Sequence, residues 1–205
     1  MTTGAPALGK FILSIFLWLP PCFAAWYFSA PYHAVVTGGL ARILVDQIRP
    51  GIVSAVERSG SDLEFVTTLE VHPAPGQTAV VVPEVSPLVY SYGLALFLAL
   101  MLASRTSMWK ILVGAVVLLP FQAWGIAFDF LAQVGARLGP EVAALAGLSG
   151  WRLEGVALGY QVGSLIFPSL VPVMLWAAFS RRAIEAIVRD HSRVRQRTDA
   201  ASGAL

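Results

Sequence analysis

Apolar residues occur in four long stretches along this chain, and shorter polar segments separate them. The stretches are Phe11–Ala30, Leu88–Ser104, Ile111–Val134 and Leu153–Phe179. Because the hydrocarbon core of a bilayer is about 30 Å thick, a helix needs about 20 mostly apolar residues to cross it. All four stretches meet or approach that length. The pattern therefore predicts an all-α membrane protein with four transmembrane helices.

The segment between the first two stretches follows different periods. Apolar side chains recur at helical spacing within Tyr32–Arg49, which predicts an amphipathic helix on the outer membrane surface. Apolar and polar residues then alternate over Asp62–His72, and Thr78–Ser86 is typical of a returning strand after the turn Pro73–Gln77. We therefore expect a small extracytoplasmic insertion made of an amphipathic helix and a β-hairpin. The hairpin either offers a sheet edge to an extended peptide or packs as a lid on its own bundle.

These elements divide the chain into four expected parts. They are residues 1–30 with the first transmembrane helix, 31–87 with the extracytoplasmic helix and hairpin, 88–180 with transmembrane helices two to four, and 181–205 as a basic cytoplasmic tail. A cleaved signal peptide is the alternative for the first part. We favour an uncleaved anchor, because bulky aromatic residues follow the apolar run and no small-x-small cleavage site appears.

Charge is sparse and unevenly placed. The chain is 57% hydrophobic and 13% charged, which lies outside the range of soluble globular domains. Lysine and arginine accumulate in cytoplasmic loops, and an orientation with both termini inside places nine of the 14 there. The nine are Lys10, Arg105, Lys110, Arg181, Arg182, Arg189, Arg193, Arg195 and Arg197. We therefore expect a multi-pass protein of a bacterial inner membrane with both termini cytoplasmic.

Polar side chains interrupt the third apolar stretch on one helical face. Gln122, Gly125, Asp129 and Gln133 follow each other at spacings of three or four residues. Placing a polar side chain in hydrocarbon is unfavourable in free energy, so such a residue indicates a structural or functional role. Either these side chains form hydrogen bonds between helices, or they face a substrate or a partner protein. Spacing alone leaves both interpretations open.

Glycines repeat every four residues at the start of the fourth stretch. Gly155, Gly159 and Gly163 form two overlapping small-xxx-small motifs, which allow another helix backbone to approach closely. The neighbour is either the third span or another protein. Tyr160 lies beside this row of glycines and Gln161 points away from it, so a polar cluster in the outer leaflet is expected.

Enzyme signatures are missing from the sequence. Cys22 is the single cysteine and its neighbours are apolar, so it has no base or orienting group close by in the chain. The three histidines lie on separate segments and do not form a metal-binding pattern. We expect no catalytic, metal or cofactor site, and no nucleic-acid module is evident.

Four apolar segments carry a resemblance to a known family. In order, WLPPCFAAWYFSAP, VSPLVYSYGLALFLALMLAS, LLPFQAWGIAFDFLAQ and ALGYQVGSLIFPSLVPVMLW are similar to the exosortase H-associated membrane protein family. The resemblance covers most of Phe11–Arg182. That family accompanies exosortase H, a membrane enzyme that resembles cysteine transpeptidases and processes the C-terminal sorting signals of exported bacterial proteins. The catalytic Cys, Arg and His pattern of the exosortase has no counterpart in this chain.

The resemblance implies a non-enzymatic accessory protein of an exosortase-type sorting system. Its expected partners are the lipid bilayer and an exosortase-like membrane protein, and it would bind that sortase or the substrate of the sortase. The alternative is a small transporter or channel subunit in which Gln122 and Asp129 line a polar path along the third helix. An intramembrane hydrolase with Cys22 as nucleophile is a third hypothesis.

Overall fold

The first helix is far longer than its apolar stretch. In the computed structural model, which describes residues 7–74, 76–181 and 185, α1 comprises Ala7–Ile48. It is helical through Pro20, Pro21 and Pro31. At about 1.5 Å per residue its 42 residues measure roughly 63 Å, which is twice the hydrocarbon thickness of a bilayer. One end of α1 therefore extends beyond the lipid to the strands.

This continuity corrects one prediction. Tyr32–Arg49 is not a separate amphipathic helix, because α1 passes through Pro31 without a break. The buried side chains of this half are also smaller than the sequence pattern predicted. Ala34, Thr37, Gly38, Ala41 and Val45 are buried, and the larger apolar residues Val36, Leu40 and Ile43 are exposed.

A layer of five short strands packs at one end of the helices, and we refer to it as the β layer. Its strands are β1 (Val53–Ser59), β2 (Asp62–Thr67), β3 (Glu70–Ala74), β4 (Gln77–Val80) and β5 (Glu84–Val85). The strand β1 pairs antiparallel with β2, β2 pairs with β5, and β3 pairs with β4. The predicted hairpin is thus present as two successive ladders, β2 with β5 and β3 with β4. Strand β1, at the edge of the three-stranded sheet, was not predicted from the sequence.

The remaining helices follow the β layer in the chain. They are α2 (Leu88–Ser91), α3 (Gly93–Ala103), α4 (Met108–Ala132), α5 (Pro140–Ala146), α6 (Trp151–Gln161) and α7 (Phe167–Phe179). A π-helical turn at Gln133–Arg137 extends α4, and a second π-helical turn at Val162–Ile166 joins α6 to α7 without interruption. A short helix, α5, therefore lies between the third and fourth predicted spans.

Within the part of the chain that the structure describes, three helical segments are long and apolar enough to cross a membrane. They are Leu8–Ile48, Met108–Arg137 and Trp151–Phe179. The second predicted span is shorter, because Tyr92 separates α2 from α3 and the two together cover only Leu88–Ala103. The structure thus supports three crossings, and a fourth stays a prediction. The basic tail predicted at 181–205 lies outside the described residues except for Arg181 and Glu185.

Two apolar clusters form the interior. The larger one joins α1, the β layer, α4 and α5, and at its centre the ring of Phe65 on β2 stacks on Phe130 of α4 at a centroid distance of 4.8 Å. Both rings are fully buried. The smaller cluster lies at the opposite end of α4 and includes Phe97, Met101 and Ile111. The β layer is therefore anchored directly to the helices.

Candidate functional site: a polar cluster beside the β layer

Asp129 forms the centre of the polar side chains in α4. Its carboxylate Oδ1 accepts a hydrogen bond from Nη1 of Arg137 at 3.1 Å, so the two side chains form an ion pair. The Asp129 side chain is 12% exposed, whereas that of Arg137 is 50% exposed. The carboxylate is thus directed inward and is neutralised by a cation that reaches the surface.

The first π-helical turn explains why these two residues meet. Eight residues of regular α-helix, at about 100° each, would leave Arg137 roughly 80° away from the face of Asp129. Residues 133–137 are wound more loosely, with bonds from i to i+5, so each residue turns through a smaller angle. The turn therefore rotates the guanidinium group of Arg137 back toward the carboxylate of Asp129.

Two tyrosines complete this group, which we call the Asp129 cluster: Tyr90, Asp129, Arg137 and Tyr160. The guanidinium carbon of Arg137 lies 4.9 Å from the ring centroid of Tyr160, a distance typical of cation–π contacts. Tyr90 is buried on α2 and lies close enough to Asp129 for the two side chains to interact. The cluster thus joins α2, α4 with its π-helical turn, and α6.

Two further predicted polar residues, Gln133 of the third span and Gln161 of the fourth, take other positions. Gln133 Nε2 donates to the carbonyl oxygen of Glu84 at 2.8 Å, which ties α4 to the strand β5. Gln161 follows Tyr160 on α6 and is exposed. The sequence grouped Gln133 and Gln161 with Asp129, whereas the structure pairs its carboxylate with Arg137 and places Tyr90 close to it.

Gln122 is separate from the cluster. It is 4% exposed, and within the described part of the chain its Oε1 has no hydrogen-bond partner. The cavity beside it measures about 10 Å³ and is lined by Tyr90, Leu118 and Phe167 among others. A cavity of that size is at the lower limit for a single water molecule. Gln122 therefore lies in tight packing rather than along a polar path.

The three glycines of α6 and its π-helical turn differ in their surroundings. A Cβ atom at Gly163 would lie 2.8 Å from the Cα of Gly125 on α4, and one at Gly159 would overlap the ring of Phe128. At Gly155 no atom lies within 4 Å of such a Cβ. The close neighbour at Gly159 and Gly163 is thus the third predicted span.

A hydrogen bond reinforces this close approach. Nε1 of Trp124 donates to the carbonyl oxygen of Gly159 at 3.0 Å, and the Trp124 ring stacks on Phe128 at 4.5 Å. In lipid, such contacts between small residues and polar groups supply much of the free energy of helix association.

As the structure describes it, the Asp129 cluster contains no cysteine and no histidine. Cys22 is buried on α1. Among the described residues there is no group of three or more His, Cys, Asp or Glu side chains that could hold a metal ion. The Asp129 cluster itself is an ion pair between two aromatic side chains, which is suited to holding helices together and to presenting a cation at the surface.

Sequence reasoning missed two members of the cluster. Arg137 lies beyond the third apolar stretch and was not expected on the polar face, and Tyr90 lies within the second apolar stretch. A signal existed for Arg137, since it is the next cation after Asp129 in the chain. The missing information was the π-helical turn, because a regular helix places the two residues on different faces.

The helices of spanning length and the β layer on one end define the class of this molecule: a helical membrane protein with a small strand-rich extension. The family model for exosortase H-associated membrane proteins matches residues 5–183, and the chain belongs to that family. No curated protein and no solved structure matches it. The resemblance noted in the four apolar segments is thereby confirmed.

Proposed function

We propose that this protein is a non-enzymatic accessory of an exosortase-type protein-sorting system and that it binds the sortase or its substrate. Its family membership supports a role beside exosortase H. The observation that carries the binding role is the β layer, which has exposed strands and is fixed to the helices by buried contacts. A rigidly held sheet edge is a common means of capturing an extended peptide.

The β layer supplies two edges for such a partner. Strand β1 has a neighbour on one side only, since the sheet order is β1, β2, β5. All four residues of β4 are exposed, and Val80 and the following Val82 are 49% and 42% exposed. Exposed apolar side chains beside free strand edges favour contact with another chain.

The exposed side of the Asp129 cluster would extend this surface toward the lipid. We assign Tyr160, Gln161 and the exposed half of Arg137 to partner contact. Asp129 would act indirectly, because its carboxylate is turned inward and holds the guanidinium group in place. Gln133 would have a structural role through its bond to Glu84.

This arrangement implies an orientation in the membrane. The β layer would lie outside the cytoplasm, where the sorting signals of exported proteins arrive, and the Arg181 end of α7 would lie inside. The excess of lysine and arginine on that second side supports this orientation.

The transporter alternative is not favoured. It requires a path that joins Gln122 to Asp129, whereas Gln122 borders a cavity of only about 10 Å³ and Asp129 is engaged with Arg137. A polar path across a membrane needs room for water or for the transported ion.

Co-purification from mild detergent tests the proposal. The tagged chain is co-expressed with the exosortase H and a sorting-signal protein of the same bacterium, and we expect recovery of at least one of them. The double variant Val80→Lys/Val82→Lys should lower that recovery about tenfold, equivalent to about 1.4 kcal/mol. Leu145→Lys, on an exposed apolar residue of α5, is the matched control and should retain the partner. The proposal is wrong if wild type recovers neither protein or if both variants behave alike.

A further inference from the structure

A basic cavity lies at the end of the helices opposite the β layer. It measures about 460 Å³ and lies between the loop from α3 to α4 and the end of α7. Arg105, Lys110 and Arg181 line it, together with the hydroxyl-bearing residues Ser104, Thr106, Ser107 and Ser180. We propose that this cavity binds the phosphate-bearing headgroup of an anionic phospholipid.

Charge is the first argument. The three cations are exposed, and among the described residues none of them forms an ion pair with a carboxylate. The flanking sequence is poor in acids, since no Asp or Glu occurs between Glu84 and Asp129 or between Glu154 and Glu185, although Glu185 lies four residues after Arg181. A group of cations in excess over the nearby acids, beside the exposed hydroxyl of Ser107, is suited to phosphate oxygens.

The walls of the cavity are held in place by hydrogen bonds. Nε1 of Trp176 donates to Oγ of Ser104 at 2.6 Å, and the hydroxyls of Thr106 and Ser180 lie 3.0 Å apart. Nζ of Lys110 donates to the carbonyl oxygen of Phe179 at 3.0 Å. An ammonium group has three protons, so Lys110 keeps two for a ligand. The loop and the helix end therefore form one prearranged pocket.

Arg105 adds a further sign of a functional site. Its φ angle is 50°, and no other non-glycine residue in the described ranges has a positive φ. Arginine adopts this left-handed conformation only where the surroundings impose it. The loop thereby turns a cation toward the cavity.

The position of the cavity selects a lipid over a soluble anion. It lies where the apolar helices α3, α4 and α7 end or begin, which is the level of the headgroups in a bilayer. Met108, Trp109 and Leu112 are 71%, 69% and 63% exposed on the first turns of α4. Such side chains would contact acyl chains, and tryptophan is favoured at this interface. Basic pockets between membrane helices are known to hold anionic headgroups.

Lipid titration of the purified full chain tests the site. The apparent Kd for cardiolipin and phosphatidylglycerol is measured in mild detergent from the shift in Tm, with phosphatidylcholine and glycerol phosphate as comparisons. We expect Arg105→Asn/Arg181→Gln to raise the Kd for the anionic lipids about thirtyfold, which converts to about 2 kcal/mol. Asparagine at position 105 tolerates the left-handed backbone.

Arg152→Gln is the matched control, because Arg152 is an exposed cation at the other end of the helices. An equal rise in Kd for this variant, or equal affinity of the wild type for phosphatidylcholine, would overturn the site. Equal affinity for glycerol phosphate would overturn the lipid assignment and leave a free phosphate ester as ligand. Should the double variant fail to fold, Arg181→Gln alone tests the site, and an unchanged Kd there refutes it.

Discussion

The row of glycines on α6 and its π-helical turn permits a matched experiment within one sequence motif. Gly163 and Gly155 both lie in helical segments, but only Gly163 lies against another backbone. Each is replaced by alanine. We expect Gly163→Ala to destabilise the protein and Gly155→Ala to leave it unchanged or slightly more stable.

The expected loss of stability in Gly163→Ala follows from the distance between the new Cβ atom and α4. A Cβ at position 163 would lie 2.8 Å from Gly125 Cα, which is 0.6 Å short of the 3.4 Å at which ordinary contact begins. The obstacle is backbone, so α4 and the second π-helical turn must separate along their contact. Overpacking of this kind costs about 1–3 kcal/mol. Alanine also improves helix propensity by up to about 1 kcal/mol, but that gain is similar at both positions. The difference between the two variants therefore isolates the steric cost.

The assay is equilibrium unfolding of purified protein in mixed micelles with an increasing fraction of denaturing detergent. The free energy of unfolding of Gly163→Ala should be about 1–3 kcal/mol lower than that of Gly155→Ala. Gly159→Ala should resemble Gly163→Ala, because its Cβ would overlap the Phe128 ring. Equal free energies at positions 155 and 163 would refute the close approach of α4 and the glycine row.

Three further outcomes are expected from the same unfolding assay and from topology reporters. Arg137→Gln should lower the free energy of unfolding by about 1.5 kcal/mol. This is the lower end of the range for a hydrogen bond to a charged group, because Arg137 is half-exposed. A double-mutant cycle with Asp129→Asn that shows no coupling energy would contradict the ion pair. Phe65→Ala should lower the free energy of unfolding by about 3–5 kcal/mol, because the ring is fully buried. Val82→Ala, at an exposed position, should change it by less than about 0.5 kcal/mol. Similar values for both variants would argue against packing of the β layer on α4. Reporters fused in the β3–β4 turn and after residue 205 should report opposite sides of the membrane, and a common side would overturn the proposed orientation.

Sequence periodicity predicted the positions of the long apolar helices correctly, but it did not predict which face of α1 is buried. The apolar stretches Ile111–Val134 and Leu153–Phe179 lie within the observed segments Met108–Arg137 and Trp151–Phe179. In the second half of α1, however, hydrophobicity predicted the wrong face. A Cβ at Gly38 would lie 2.8 Å from Leu63 Cδ1, so the close contact with β2 favours a small residue at this position. Large apolar side chains are left exposed, since tight contact with the strands admits only small ones.

The sequence predicted the central residue of the candidate site but not the residues that contact it. A lone acid at Asp129 in an apolar helix indicated a polar contact, because an isolated charge in lipid is costly. Its partner Arg137 depends on a local change of helix type that residue identities do not specify. The β1 strand was also missed, since its exposed half, Glu57–Ser59, lacks the alternation of a half-buried strand.

The unbroken length of α1 has a mechanical consequence. Because the helix runs from its apolar first half to its contact with Leu63 of β2 at Gly38, the strands pack on the same element that crosses the lipid. If the β layer holds a partner as proposed, a pull on that partner would act directly on a helix that also crosses the lipid.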